Sequence, residues 1–463
     1  MGCAGGMVML DQTVVAVALD PMARSLGLTT LLMYSVVLVY ILSLSSLAPV
    51  GGMAARRFGL LRTFQFGTAV FAVASGCCGL APAGDGAEPF ALTARAIQGA
   101  GAALMLPVAT TVITDVYEER ERGRALTIYA GLAQVFFVLG PVVGAFLTQL
   151  LGWRPVFLVN VPVGGAILWV IARARMSKQA EGGALTAVQP VAVIISLVVL
   201  VFGLYRCGSW GFTDLRTFAA LATGVLTLAL AVRLILRSRR PLVDLRLLYI
   251  RPYAVAVTLT FLVQAAQLIV LVHGTVFLRQ AMNLSLLASG ISLLPLVVAL
   301  AVGTFASGYL LDFFRSTRVP VLCGLAGATL GVAAWTTALL SHQYLWQVPG
   351  MALGGLGLGM PVPALSAELM GAVPIDKRAD ASVLRQTLRQ LGGAFGLAAA
   401  GAVVLAANDE AADEAGLVTA SATHAGFVLA SSVLGVALLL AAVMLPRKVS
   451  TDGTAGYEAL TGA

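Results

Sequence analysis

Few residues in this chain are equipped for chemistry, because only 11% of its 463 residues are charged, so an ionisable side chain inside an apolar stretch stands out. Asp11 is one, in LDQTVVAVALDP. A charged, unpaired carboxylate there costs several kcal/mol, so it must pair, face a bundle interior or take up a proton. Proton or cation coupling and a structural interhelical hydrogen bond are the two readings it leaves open. Arg95 lies in TARAIQGAGAALMLP and shares a helix face with Gln98, Gly99 and Ala102, a face small enough for another helix to approach closely. Snorkelling of Arg95 to the outer interface is the alternative. Glu368 is the second candidate acid, with an interfacial or ion-paired role as its plainer reading. Arg385 and Arg389 are one helical turn apart beside Gln386 and Gln390, placed to attract an anion or to anchor their helix near lipid phosphates. Gln264 and Gln267 form a polar face with His273 beyond them, a histidine expected to be a satisfied interior residue.

The elements that must position these groups follow from composition. Apolar residues make up 59% of the chain, which excludes a soluble globule. A spanning helix needs about 20 apolar residues. Fourteen such stretches are separated by Gly, Pro or charge, near 1–20, 30–50, 63–82, 89–114, 125–150, 155–174, 188–205, 215–235, 252–274, 287–311, 319–340, 346–370, 380–406 and 425–445. The expected fold is therefore an all-α integral membrane protein. The five cysteines have no metal spacing and read as packing residues, and no cofactor is expected. The MGCAGGMVML start lacks the basic residues and cleavage site of a signal peptide.

Of 29 basic residues, 21 fall in one set of alternate connections, five in the other (Arg24, Arg154, Arg206, Arg216, Arg279) and three inside spans. The positive-inside rule makes the richer side, and both termini, cytoplasmic. This distribution, rather than nucleic acid, accounts for the net charge of +8. The connection at 407–424 is expected outside and the tail at 447–463 disordered.

An internal repeat runs at an offset of 256 residues: Gly52 and Gly308, Phe58 and Phe314, Arg62 and Arg318, Gly99 and Gly355, Gly101 and Gly357, Pro107 and Pro363, Arg122 and Arg378, Gly140 and Gly396. It predicts two equivalent six-helix bundles, 1–176 and 252–446, related by a pseudo-two-fold axis along the membrane normal. An inserted helix pair occupies 177–251. The same offset puts the partner of Pro252 five residues ahead of Met1, so the first span reads as clipped.

Two further motifs suggest movement. In GLAQVFFVLGPVVGA, Gly140, Pro141 and Gly144 allow bending and tight packing at a moving interface, or close static packing. The turn GGMAARRFGLLRTF and its repeat partner SGYLLDFFRSTRV place charges at equivalent ends of both bundles. Gly52, Arg56, Arg57, Gly59, Gly308 and Asp312 are the candidate gating residues there. An Asp at such an end can latch onto a neighbouring helix or basic side chain, and Arg56 faces this position with the opposite charge. The expectation is an inward-open resting bias with Asp312 as the remaining latch.

These stretches together resemble the major facilitator superfamily, specifically its fourteen-helix drug:proton antiporter branch. LDQTVVAVAL is similar to that branch's first-span motif, with Ala16 at its Asn and Asp20 at its Pro; RAIQGAGAA resembles the fourth-span motif, and LGPVVGA the antiporter motif. GWRPVFLVNVPVG, RPLVDLRLLYIRP and LRQLGGAFG are also similar to the branch. The turn after span 2 keeps the family's pattern at Gly52, Arg57 and Gly59 but has Arg56 at its Asp and Leu60 and Leu61 at its basic pair. The resemblance implies proton-coupled export of drugs or antibiotics by alternating access, with Asp11, Arg95 and Glu368 in proton coupling. Gln12, Gln98, Gln134, Gln264, Gln267, Arg385 and Gln386 would line a mid-depth substrate cavity. A plasma-membrane monomer whose partners are a small-molecule substrate, protons and the bilayer is expected. Uptake by symport and a degenerate transporter acting as a sensor are the alternatives. An enzyme is not expected, since HExxH, GxSxG and phosphate-cradling Gly-rich motifs are missing.

Overall fold

The computed structural model describes residues 1–82, 84, 86–116, 119–173, 188–238, 244–341, 343–374, 377–408 and 418–445, and every regular element among them is helical. Lipid offers no partner for a backbone amide, so apolar segments of this length satisfy their own hydrogen bonds as helices. In chain order these are α1 (Gly2–Leu26), α2 (Thr30–Phe58), α3 (Leu60–Gly79), α4 (Ala87–Val116), α5 (Glu119–Leu151), α6 (Arg154–Leu158), α7 (Asn160–Ala172), α8 (Val188–Trp210) and α9 (Leu215–Arg237). A 3-10 turn at Leu245–Tyr249 leads into α10 (Arg251–Gln280), α11 (Leu286–Ser292), α12 (Leu294–Phe314), α13 (Arg318–Leu339), α14 (Tyr344–Gly359), α15 (Pro361–Gly371), α16 (Arg378–Ala407) and α17 (Ala420–Met444). Among the described residues, thirteen segments are long and apolar enough to cross a membrane. The 20-residue α3 is outside that set, its apolarity diluted by Thr63, Gln65, Thr68 and Ser75.

Three of the expected continuous spans are interrupted. The helix pairs α6–α7, α11–α12 and α14–α15 break at Val159, Leu293 and Met360. Pro295 and Pro361 follow two of these breaks directly, where the missing N–H and the ring's clash with the preceding turn stop the ladder. Pro21, Pro49, Pro107, Pro141 and Pro349 are instead carried inside continuous helices. The turn from α2 to α3 is a single Gly59 at φ +91°, a conformation that a side chain would strain.

Helices α1 to α7 pack mainly on one another, as do α10 to α17, and small residues mediate the contacts. A methyl group at Gly99 of α4 would meet the Tyr40 carbonyl of α2; one at Gly355 of α14 would meet the Leu296 carbonyl of α12, and 40 and 296 differ by the same 256 as the glycines. Gly101 likewise abuts Phe71 and Gly67, and Gly357 abuts Ala328 and Gly324. The α8–α9 hairpin closes through Gly203 against Ala220 and Gly224 against Leu200, and its α8 docks on α16 through Gly208 against Ala402. Helix α9 presents Leu215, Phe218, Val225, Leu226 and Leu230 outward, as a lipid-facing helix must.

Not every cysteine packs inside. Cys78 and Cys207 are buried but Cys3 and Cys323 are exposed, because an apolar helix in a bilayer has an outward face as well as a packed one. The connection at 409–417 and the tail beyond 445 lie outside the described residues, as do the side chains of Arg120, Arg122 and Arg124.

Candidate functional site

Asp11 and Arg95 meet. An Arg95 Nη1 donates to Asp11 Oδ2 at 2.8 Å with both side chains at 0% exposure, which rules out snorkelling of Arg95. Gln98, one turn along α4, donates from Nε2 to Asp11 Oδ1 at 2.8 Å and accepts from Arg95 Nη1 at 2.7 Å. Arg95 Nε donates to the Val36 carbonyl at 3.1 Å, and its guanidinium lies over the Tyr40 ring at 4.2 Å. Arg95 Nη2 has no hydrogen-bond partner.

The sequence reading missed two members of this cluster. Asn160, the first residue of α7, donates to Asp11 Oδ1 at 3.4 Å and to Ser75 Oγ at 3.0 Å; Ser75 donates in turn to the Phe157 carbonyl at 2.9 Å. The break between α6 and α7 brings Asn160 to this depth. Its signal was a lone amide in the apolar run VFLVNVPVG. One carboxylate thus collects donors from α4 and α7.

The glycines of α5 hold α1 against this cluster. A methyl at Gly140 would strike Thr13 Oγ1, and one at Gly144 would meet Val14, each within three residues of Asp11. Pro141, between them, turns its carbonyl to the opposite side, where Gly290 of α11 packs on it and on Ala145. The α5 motif is therefore wedged between α1 and the second half of the chain.

Two contact zones bridge the halves at opposite helix ends. Asp20, 3% exposed near the end of α1, accepts from Arg24 Nε at 3.2 Å and from Gln280 Nε2 at 2.7 Å, and pairs with Arg279 at 3.2 Å. The Leu287 amide donates to Gln149 Oε1 at 2.9 Å beside it. Slightly deeper, Tyr34 of α2 stacks on His273 of α10 with ring centroids 4.6 Å apart. His273 is not a satisfied interior histidine: Nδ1 lies 3.2 Å from the Ile269 carbonyl, but the buried Nε2 has no partner. At the other end, Arg56 pairs with Asp380 of α16 at 3.7 Å, both side chains exposed, and Gly52 faces Val383. Arg56 therefore does make a link across the halves. Asp312 is exposed and forms no ion pair among the described residues, and Gly308 has open space around it. Arg57 lies over the Phe58 ring at 5.6 Å.

The remaining candidates scatter over the second half and the central faces. Glu368 accepts from Thr317 Oγ1 at 2.6 Å, its other oxygen unpartnered, and does not join the Asp11 cluster. Arg389 Nε donates to Gln264 Oε1 at 2.7 Å, and Arg385 reaches Ser366 Oγ at 3.4 Å. Gln12 and Gln134 keep buried, unpartnered Nε2 atoms; Gln267 is buried and Gln386 partly exposed.

The profile of the Major Facilitator Superfamily matches residues 1–397, taking in both halves and the whole Asp11 cluster. The chain belongs to that superfamily. Among its superfamily relatives, the methylenomycin A resistance protein of Bacillus subtilis is 27% identical over 98% of this chain and 94% of its own length. The cephamycin export protein CmcT of Amycolatopsis lactamdurans is 33% identical over 85% of this chain and 81% of its own. The tetracenomycin C resistance and export protein of Streptomyces glaucescens is 28% identical over 86% and 73%. The fold is matched by a solved structure too: a D-xylose-proton symporter superimposes with a TM-score of 0.69 over 98% of both chains at 14% identity.

Proposed function

We propose that the chain is a proton-coupled exporter of small molecules of the drug or antibiotic class, working by alternating access in the plasma membrane. The observation that carries the reading is the buried Asp11–Arg95 pair, a titratable carboxylate with no exposed surface on a helix clamped by the Gly140–Gly144 motif. The relatives named for antibiotic resistance and export supply the direction of transport. Protonation of Asp11 removes the charge that holds Arg95 Nη1, Gln98 and Asn160 together, and so loosens α1 from α4 and α7. That movement is transmitted through α5, which touches both α1 and α11.

In this reading the chain crosses the membrane fourteen times, α3 included, with both termini cytoplasmic and a monomer as the working unit. Two six-helix bundles, 1–176 and 252–446, rock about the α2–α16 and α5–α11 contacts, and α8 and α9 form the inserted pair. The repetition of the Gly99 packing at Gly355 supports their duplication. The Asp20–Arg279 end is then external. It and the basic, cytoplasmic end are both bridged across the halves, by Asp20–Arg279 and by Arg56–Asp380.

The test is uncoupler-sensitive efflux from an exporter-deficient host and from proteoliposomes under an imposed pH gradient. Accumulation that does not respond to the gradient, or a gradient-driven uptake, would overturn the reading.

A further inference from the structure

Arg385 and Arg389, both inside α16, have no carboxylate beside them among the described residues, unlike the arginines of the two clusters above. Arg95 has Asp11, and Arg279 has Asp20. Arg385 and Arg389 sit one turn apart on the face of α16 that packs on α10 and α15, and no ion pair reaches either of them among the described residues. Their partners are neutral. Arg389 Nε takes Gln264 Oε1, and Arg385 has a hydroxyl at 3.4 Å while its own Nε is buried and unpartnered. Both side chains keep part of their surface open, as does the neighbouring Gln386. Among the described residues, the acids nearest in sequence are engaged elsewhere, Asp380 with Arg56 and Glu368 with Thr317.

Two guanidiniums held at intramembrane depth carry positive charge that the resting protein leaves uncompensated. A guanidinium presents parallel N–H donors that match the two oxygens of a carboxylate or phosphate. We propose that Arg385 and Arg389 form the recognition site for an oxyanion group on the transported molecule, so that this protein's cargo is an amphipathic organic anion. The inference rests on the exporter reading and names the substrate class for it. The apolar body of such a molecule would lie along α10, where Phe261 packs on Phe395 with centroids 5.9 Å apart, and Gln264 and Gln386 would supply the flanking polar contacts. The division of labour is electrostatic. The first half holds a balanced pair that can lose its charge to a proton, and the second holds an unbalanced pair that cargo neutralises.

The test uses the purified full chain in nanodiscs of zwitterionic lipid and fluorescence anisotropy with a dye set of matched size: a carboxylate, its methyl ester, a phosphate monoester and a quaternary amine. The carboxylate and phosphate arms show which oxyanion the fork prefers. The anionic dyes should bind on the order of tenfold or more tightly than the ester, with that advantage lost in Arg385→Gln and Arg389→Gln and partly kept in Arg389→Lys. Ester binding should be unchanged in all three variants, a result that a folding defect would not give. Preference for the cationic dye, no binding of any anion, or anion binding indifferent to both substitutions would overturn the proposal. Displacement of the dye by phosphatidylglycerol in the nanodisc, with no such competition from a soluble carboxylate, would also overturn it by assigning the arginines to a lipid headgroup. The two readings fail separately. Uncoupler-sensitive export of the cationic dye without anion binding leaves the exporter and removes this site; anion binding without gradient-dependent export of any dye does the reverse.

Discussion

The Asp11–Arg95 cluster in the first half and the Arg385–Arg389 pair in the second both lie inside helix packing, yet they are opposite electrostatic solutions. In the first, one carboxylate is met by a guanidinium and two amides at 2.8–3.4 Å. In the second, two guanidiniums share a helix face and find only a hydroxyl and an amide oxygen. A buried ion pair gains little over an apolar replacement, but breaking one leaves a bare charge that is expensive. The contrast therefore predicts mutational effects of opposite sign in the two halves.

The largest effect should come from Asp11. Asp11→Asn keeps volume and loses titration, so gradient-driven efflux should fall to background while insertion persists. It also strands Arg95, and removing one partner of a buried pair costs about 3–5 kcal/mol. Thermal unfolding of Asp11→Asn, Arg95→Gln and the double variant should reveal a strong coupling, with the double variant more stable than either single one. Additive losses would show that the pair is not the unit. Arg95→Lys and Arg95→Ala should both impair transport, since the Nε bond to Val36 and the Tyr40 stacking need the guanidinium.

The second half should behave in the opposite way. Arg389→Gln removes an unpaired charge, so the apo protein's Tm should stay the same or rise, while Arg95→Gln lowers it. A Tm loss at Arg389 comparable with that at Arg95 would mean that a carboxylate partner compensates it after all.

How much of this was legible in sequence depends on separation along the chain. Arg95 and Gln98 are three residues apart, so their shared face follows from helix geometry, and of the two acids in the first span only Asp11 lies near its middle. Asn160 carried no periodic signal, because its position depends on the α6–α7 break. The breaks themselves were hidden, since Pro295 and Pro361 interrupt helices whereas Pro107 and Pro141, in similar apolar runs, do not. Contacts between the halves were the least readable. Asp20 and Gln280 lie 260 residues apart, and the substitution of Asp20 into a motif that resembles one with Pro gave no partner. His273 shows the same limit: its stacking on Tyr34 joins two helices whose facing residues no local pattern specifies.

A third prediction concerns Asp20, where the bridge joins the halves instead of stabilising one of them. Asp20→Asn keeps the hydrogen bond with Gln280 but removes the charge that Arg24 and Arg279 share. Arg279 is 25% exposed, so part of that charge interaction is screened. The expected result is a shift toward opening at this end, on the order of tenfold in population for a loss of about 1.4 kcal/mol. Spin-label distances between the ends of α1 and α11 would report it, and an unchanged distribution would show that the Tyr34–His273 stack and Gly290 hold the end closed without Asp20.

The smallest effect should come from Arg56, and its direction separates the sequence expectation from the structure. If this position lacked a latch, Arg56→Asp would create one and close the basic end. The observed partner is an acid, Asp380, at 3.7 Å, so Arg56→Asp places two carboxylates together and should open that end. The side chains are 52% and 39% exposed, and such pairs contribute only about 0.2–1 kcal/mol, so the change should be several-fold at most and should fade in high salt. The charge-reversed double variant, Arg56→Asp with Asp380→Arg, should restore the wild-type distribution of distances between the ends of α2 and α16. Asp312→Asn is the control: its carboxylate is exposed and makes no ion pair among the described residues, so it should leave that distribution unmoved. If Arg56→Asp closes the basic end and the double variant fails to reverse it, Asp380 is not the partner that matters, and the second half contributes no charge to this gate.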